Sequence, residues 1–542
     1  MSGRRIAQGV AGAAALIAVL TVFARLAGFV RTLVFTNAVG PGSTGDAYTA
    51  ANNVPNIVFE VVAGGALAGL VVPMLAGGIA AGNREQVRAT ASALLGWALL
   101  VLTPLAVVVA VCAEPIARLL LGPGGDDGKV ALATRFLVVF APQVVLYGIG
   151  IVLTGVLQAH RRFAGPALAP LLSSVVVAAA YVAFAAIGGG RDARDLSTPA
   201  ELVLGVGTTL GVVALSLCLL LPVRRLRLGL RPSLRFPVGA APRVRRLAVA
   251  GVLTLAGQQL VAAVAIRLAN DGAPVGTQVV YAAGLTVFLV PWAALAVPLA
   301  TSAYPGLAER AEAGDEEGFQ GSLAPVAVLT LVAVAVAAAI LVAVSGPMAR
   351  VFFSHYPLPK VEALRNTIIA FAPGLVGYGL LALLTRALYA RGLWRSPTVC
   401  VVGGWLLATV ADVVLAAVLP AADRGVALGA GHSIGVTAAG LGLLVVVGRV
   451  AGRDALAGVL RTGVPALAAA ALGAACGLGA AGLLGADPVP SGGVLAAVGT
   501  GVVVAAVVAL VALAVILGAA RAPLTAALRG LRASGRQEVH GG

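Results

Sequence analysis

An arginine inside an apolar segment needs a reason, because mid-bilayer depth costs it about 2.5–3.5 kcal/mol on insertion scales unless it faces a cavity or a partner. The first apolar segment of this 542-residue chain holds two, Arg25 and Arg31, with Gly28 between them. On a helix they stand about 120° apart and about 9 Å along the axis. Both can flank one hydrated hollow. A guanidinium stays charged at any cellular pH and offers a planar fork of donors that matches phosphate or carboxylate oxygens. The chemistry this spacing suits is the capture of an anion within a membrane.

The next segment repeats the theme with neutral groups and acids. Asn52, Asn56 and Glu60 recur at every fourth position, and Asn53 joins Asn56 and Glu60 at spacings of three and four. These residues share one helix face. Pro55 removes a backbone donor in their midst and predicts a kink that frees carbonyl groups. Gly64, Gly65 and Gly69 then permit close helix approach or bending. Two readings of the stripe stand: a polar seam that joins helices, or a water-filled cavity that holds an anionic group.

The surrounding composition places these groups in a bilayer. Hydrophobic residues make up 60% of the chain and charged residues 11%, whereas soluble domains carry nearer a quarter charged. A soluble globular protein is excluded. The net charge of +16 lies in short loops between apolar runs, so it reads as topology-setting charge and not as a nucleic-acid footprint. Cys112, Cys218, Cys400 and Cys476 stand singly in apolar segments, and His160, His355, His432 and His540 are scattered. Neither a disulfide framework nor a metal site is expected. With no phosphate-cradling glycine loop and no nucleophile paired with a base, neither a cofactor, an ATPase domain nor an enzyme is expected.

Apolar windows of about 20 residues predict fourteen spans. They lie near 10–35, 47–77, 91–112, 131–157, 164–187, 200–221, 247–269, 277–303, 321–345, 363–390, 396–419, 425–448, 464–486 and 492–518. The first is too long for a signal-peptide core and long enough to cross. With the N-terminus in the cytoplasm, 24 Lys and Arg fall on that side and 8 on the other, while Arg25, Arg31, Arg135, Arg267 and Arg386 lie within spans. That bias predicts both termini in the cytoplasm. The stretch 222–246 carries eight arginines and no acid. It reads as a solvated connector that fixes topology and touches anionic lipid heads, or as a specific regulatory contact.

An internal repeat sets the expected architecture. Residues 140–166 (FAPQVVLYGIGIVLTGVLQAHRRFAGP) and 371–397 (FAPGLVGYGLLALLTRALYARGLWRSP) share 11 identities in 27 positions at an offset of 231. The copies are the fourth and tenth spans, so six spans separate them and both halves insert the same way. The expected fold is an all-α polytopic membrane protein with two pseudo-symmetric six-helix lobes and two further helices. Its domains are a first lobe over 1–222, a basic linker over 223–246, a second lobe over 247–450, accessory helices over 451–520 and a cytoplasmic tail over 521–542. Prolines and glycines in both copies predict hinges in the fourth and tenth spans.

The two lobes with their extra pair, the RLAGFVR at 25–31, the GDAY at 45–48 and the VPN at 54–56 resemble the MurJ (MviN) family of lipid II flippases. That family is a branch of the multidrug, oligosaccharidyl-lipid and polysaccharide exporter superfamily. The resemblance covers nearly the whole chain and is most specific over 25–73. It implies a multi-pass protein of the bacterial plasma membrane that moves a polyprenyl-pyrophosphate-linked glycan, lipid II first among them, by alternating access. The head would occupy a central cationic cavity lined by Arg25, Arg31 and Asp46, and the tail a groove beside the last two helices. Asp412, in the eleventh span, is either a sodium or proton site of the kind the resemblance implies for the second lobe, or a hydrogen-bonded acid between helices.

Departures from the family pattern bear on the substrate more than on the fold. Thr32 stands where an acid is usual, Phe59 and Glu60 where an arginine pair is usual, and Gly64-Gly65 in place of Glu-Gly. In the eighth span Ala283-Gly284 replaces Asp-Arg, which leaves Arg267 in the seventh span as the candidate substitute. Other classes are a flippase for another polyprenyl-linked glycan, a degenerate flippase acting as a cell-wall scaffold, and a multidrug or cation antiporter of the same superfamily. Expected partners are the lipid-linked glycan, membrane lipids, sodium or protons, and cell-wall synthesis proteins, with no nucleic acid.

Overall fold

In hydrocarbon every backbone N–H and C=O must be satisfied within its own segment, so apolar runs of this length become helices. The computed structural model describes residues 20, 23–61, 68–122, 126–190, 192–235, 240–486, 489–490 and 492–519, with the side chains of 68–70, 73, 240–254 and 460 excepted, and among them there is no strand. Among the described residues ten helices are long and apolar enough to cross a membrane, or eleven if Leu358–Phe371 and Gly374–Ala390 form one bent span. These eleven coincide with eleven of the fourteen expected spans. Of the other three, those near 10–35 and 47–77 include residues outside those described, as do Gly64, Gly65 and the C-terminal tail, while 247–269 lies within the helix Ala240–Asn270. The protein is an all-α polytopic membrane protein.

The chain forms two compact units, Met1–Val279 and Val280–Gly542. The first holds α1 (residues 23–38), α2 (Ser43–Val58), α3 (Ala68–Ala80), α4 (Arg84–Val111), α5 (Ala113–Leu121), α6 (Asp127–Ala159), α7 (Ala164–Ala186), α8 (Thr198–Leu217), α9 (Leu220–Arg224) and α10 (Ala240–Asn270). Here α6 is the hub, with α2, α4 and α8 against it and α7 against α8. α10 packs on α2, α3 and α5.

From Val280 onward the second unit takes α11 (Thr277–Pro291), α12 (Val297–Glu312), α13 (Glu316–Ala343), α14 (Ser345–Phe352), α15 (Leu358–Phe371), α16 (Gly374–Ala390), α17 (Arg395–Val418), α18 (Arg424–Val450), α19 (Val459–Leu483) and α20 (Val494–Ala519). The packing order repeats: α16 is the hub for α12, α13 and α18, and α17 lies on α18. α19 and α20 pack on each other and on α13 through small residues such as Ala339, Ala470 and Val508. Both units also carry a π-helical turn after a proline, at 59–61 beyond Pro55 and at Trp292–Ala296 beyond Pro291. At Pro55 the helix therefore continues through the proline and loosens one turn later.

The two Phe-Ala-Pro copies diverge. α6 runs unbroken through Pro142, whereas the second copy breaks between α15 and α16 at Ala372-Pro373 and bends by 44°. The expected hinge in the fourth span is thus a continuous helix. Next to Pro142 stands Gln143, whose Nε2 donates to Thr209 Oγ1 at 3.0 Å, while Thr209 Oγ1 donates to Val139 O at 3.1 Å. Next to Pro373 stands Gly374, and Ser433 Oγ of α18 reaches the carbonyls of Ala370 and Phe371 at 2.7 and 3.0 Å. A Cβ at Gly374 would lie 2.8 Å from Ser433 Cα. The glycine lets α18 approach, and its hydroxyl satisfies carbonyls at the break.

Candidate functional site

α1 carries Arg25 exposed and Arg31 half-buried. A methyl group at Gly28 would meet nothing within 4 Å, so the face between them is open. Thr32 turns back on its own helix, its Oγ1 donating to Gly28 O at 3.1 Å. Among the described residues neither arginine forms an ion pair or hydrogen bond. Three tyrosines, Tyr48 and Tyr181 buried and Tyr147 half-buried, are near enough to Arg31 to feel its charge. Tyr48 OH lies 2.8 Å from both Tyr181 OH and Thr208 Oγ1, and its ring is enclosed by Phe35, Phe136, Phe140 and Tyr181. A closely packed aromatic cluster with hydroxyl groups therefore lies near Arg31, which has no ion-pair partner among the described residues.

The Asn stripe on α2 meets the same tyrosines. Tyr147 OH donates to Asn56 Oδ1 at 3.0 Å, and the Phe59 ring stacks 4.6 Å from that of Tyr147. Asn53 and Asn56 donate back to the Thr49 and Asn52 carbonyls at 2.8 Å each. Such back-bonding is the alternative that amides offer a helix. Asn52 is half-buried and Glu60 is exposed on the π turn. Phe59, where the family pattern has a cation, is thus a packing residue for Tyr147.

Asp46 lies elsewhere and is fully buried. Its Oδ2 accepts from Gly276 N at 2.7 Å and from Lys129 Nζ at 3.2 Å, and its Oδ1 accepts from Val279 N at 3.3 Å. Lys129 Nζ also donates to Asn270 Oδ1 at 2.6 Å. The carboxylate thus sits at the N-terminus of α11, where free amides and the helix dipole favour an anion. Gly45 and Gly276 make room, since a Cβ at either would strike the backbone of Gly40 or Pro41. The cation facing Asp46 is the lysine Lys129. The pairing spans 83 residues to Lys129 and 230 to Gly276, beyond any local sequence signal.

Arg267 lies 2.7 Å from Asp271, one turn along α10, and its guanidinium packs over Gly122 at the end of α5. It is a neutralised cation. In the second unit Ala283 is buried and Gly284 lies under Thr367 and Phe371, where a methyl group would come within 2.9 Å of Thr367 Cγ2. The Asp-Arg position of the family has become a close helix contact. Arg386 on α16, within a span but assigned no role from sequence, is half-buried and donates to its own Ala382 O at 2.8 Å.

Asp412, on α17, is also fully buried, and among the described residues neither carboxylate oxygen has a hydrogen-bond partner. Gly431 of α18 makes space for it, because a methyl there would collide with the carboxylate. Tyr281 is near enough to feel its charge. His432, one residue beyond Gly431, lies among Phe371, Phe288, Trp405 and Tyr378 at centroid distances of 5.3 to 6.3 Å, its Nε2 without a partner among the described residues. Sequence reading found Asp412 by its depth and missed His432, which looks like any scattered histidine until the aromatic rings converge on it.

Set beside known proteins, the chain matches the family described as lipid II flippase MurJ over residues 35–483. It belongs to the MurJ family. The match begins after Arg25 and Arg31, so the arginine pair is an observation additional to it. A probable lipid II flippase MurJ of Rhizobium meliloti is 25% identical over 392 residues, covering 70% of each chain. A lipid II flippase MurJ of Burkholderia cenocepacia is 24% identical over 440 residues, covering 78% of this chain and 81% of its own. A solved structure of lipid II flippase MurJ in an inward closed conformation superposes with a TM-score of 0.70 at 17% identity, covering 91% of this chain and 98% of that one. At that identity the superposition shows the MurJ fold.

Proposed function

We propose that this chain moves lipid II, a polyprenyl-pyrophosphate-linked glycan, across the bacterial plasma membrane by alternating access, with both termini in the cytoplasm. The observation that carries this reading is Arg31, a half-buried guanidinium in a spanning helix with no anion beside it among the described residues. A pyrophosphate cannot cross hydrocarbon unpaired, and Arg31 with Arg25 would replace its hydration shell. Asn52, Asn53, Asn56 and Tyr147 supply neutral hydrogen-bonding groups for the sugars, with Glu60 at the edge of the stripe. The membrane potential acts on a net-cationic empty site at about 2.3 kcal/mol per charge per 100 mV, which would return it to the inward-facing state.

Asp46 would act as the latch of this device through Lys129 and the start of α11. Arg267, paired with Asp271, would reach the substrate only by exchanging that carboxylate for it. Asp412 is the coupling candidate, for sodium or a proton, because it alone among these acids is buried without donors. The break at Ala372-Pro373 is the hinge candidate in the second unit. Cell-wall synthesis proteins are the partners such a transporter would feed.

Complementation of a bacterium depleted of its own lipid II flippase tests the proposal. The parent should restore growth, and Arg25→Ala with Arg31→Ala should not, while reaching the membrane at the parental level. Two charge-assisted contacts at about 1.5–3 kcal/mol each predict a loss of at least ~100-fold in flipping. Growth on the double variant would sink the cationic-site reading, and efflux of organic cations by the parent would favour the antiporter class.

A further inference from the structure

The basic stretch that follows α9 is tied down along α4. Arg84 donates to Leu226 O at 3.0 Å, Arg231 N donates to Ser92 Oγ at 3.2 Å, Ser233 N donates to Ser92 O at 3.0 Å, and Trp97 Nε1 donates to Leu234 O at 3.0 Å. Gly96 lets the stretch approach, since a Cβ there would collide with the Ser233 backbone. Leucine alternates with arginine along the strap. Leu228 is buried in the cluster built by α3, α4 and α6, with Leu226 and Leu230 packed beside it. Arg225, Arg227, Arg231 and Arg235 are left exposed on the other side. None of these four is in an ion pair among the described residues, and the nearby acid Glu85 is taken by Arg88 at 2.7 Å.

Two apolar groups accompany the arginines. Leu234 is 52% exposed and Trp97, bonded to its carbonyl, is 41% exposed. An exposed indole beside an exposed leucine suits the boundary between acyl chains and headgroups, where tryptophan concentrates. Arginines at that level meet lipid phosphates, and a guanidinium fork matches a phosphate. We propose that residues 225–235 form a docking site for anionic phospholipid headgroups, with Trp97 and Leu234 seated at the acyl boundary and the four arginines on the phosphates. An acidic protein segment would satisfy the arginines and leave the apolar pair in water. The site depends neither on what the chain transports nor on which side of the membrane the strap faces.

Native mass spectrometry and thermal unfolding of the full-length chain in neutral detergent, titrated with phosphatidylglycerol or with phosphatidylcholine of the same acyl length, test this. The parent should bind and be stabilised by phosphatidylglycerol alone. With each basic residue near the surface giving roughly a fivefold effect, R225Q/R227Q/R231Q/R235Q should bind phosphatidylglycerol at least ~100-fold more weakly. A comparator with the same charge removed, R395Q/R449Q/R453Q/R461Q, should bind it as the parent does. Should the strap variant not fold, the parent's affinity must still fall as salt rises, and Trp97→Phe, which keeps every charge, must weaken it several-fold. Equal binding of the two lipids, an equal loss in the comparator, or competition by polyglutamate without phosphatidylglycerol binding would each overturn the proposal.

Discussion

Asp46 in the first unit and Asp412 in the second are both at 0% exposure, and their surroundings treat them in opposite ways. Asp46 has a lysine and two backbone amides aimed at its oxygens. Asp412 has no donor among the described residues and a glycine in place of a side chain. A buried carboxylate with its donors in place is a fastening, because removing one partner strands the other charge. Without donors the same group must take up a proton or a cation on its own account. The contrast makes the first acid a fastening and leaves the second as the acid proposed for coupling. Among the described residues it also inverts the placing of unmatched charge, which is cationic on α1 and anionic on α17.

The largest expected effect breaks the fastening. Lys129→Met should lower the stability of the purified protein by about 3–5 kcal/mol, the usual cost of removing one partner from a buried pair, read as a fall in its unfolding midpoint. Asp412→Asn should leave the midpoint no lower than the parent's while erasing the response of transport to sodium and to pH. If Asp412→Asn destabilises as much as Lys129→Met, the two acids are not different in kind.

The close crossing of α17 and α18 comes next. Gly431→Ala puts a methyl against the Asp412 carboxylate and should cost about 1–3 kcal/mol by overpacking, again by thermal unfolding. A smaller difference separates the two Phe-Ala-Pro copies. Ser433→Ala removes the one O–H shared by two carbonyls at the break and should cost about 0.5–1.5 kcal/mol, less than Thr209→Val, which both frees Val139 O and strands the buried Gln143 amide in the unbroken copy. No loss in Ser433→Ala would mean that the break does not depend on the hydroxyl.

The smallest effect is at the surface. Asp126 caps α6 through Gly128 N at 3.0 Å and accepts from Arg194 at 2.6 and 2.9 Å. The Arg194 guanidinium, with help from that amide, holds its carboxyl below the usual carboxylate range. A depressed folded value means that the pair stabilises the protein above the ordinary carboxylate pKa and loses that contribution as pH falls through the lowered one. Arg194→Gln should therefore narrow the gap in unfolding midpoint between neutral and acid pH slightly, screening keeping any exposed pair weak.

Much of this was legible along the chain. Eleven spans stand where apolar windows put them, because the helix that hydrocarbon demands is a local structure and its signal is local composition. The offset of 231 between the Phe-Ala-Pro copies announced two halves that pack alike. Arg25, Arg31 and Asp412 could be singled out since charge at depth is costly wherever it occurs. What composition cannot express is which partner arrives from elsewhere in the chain. That Lys129 neutralises Asp46 while Gly276 donates to it, that Asp271 neutralises Arg267, that Ser433 meets one proline break while Gln143 and Thr209 bond along the unbroken helix, and that a basic linker lies pinned along α4 by its own leucines were all decided by tertiary packing. Burial makes each of these pairings strong, and burial belongs to no single segment.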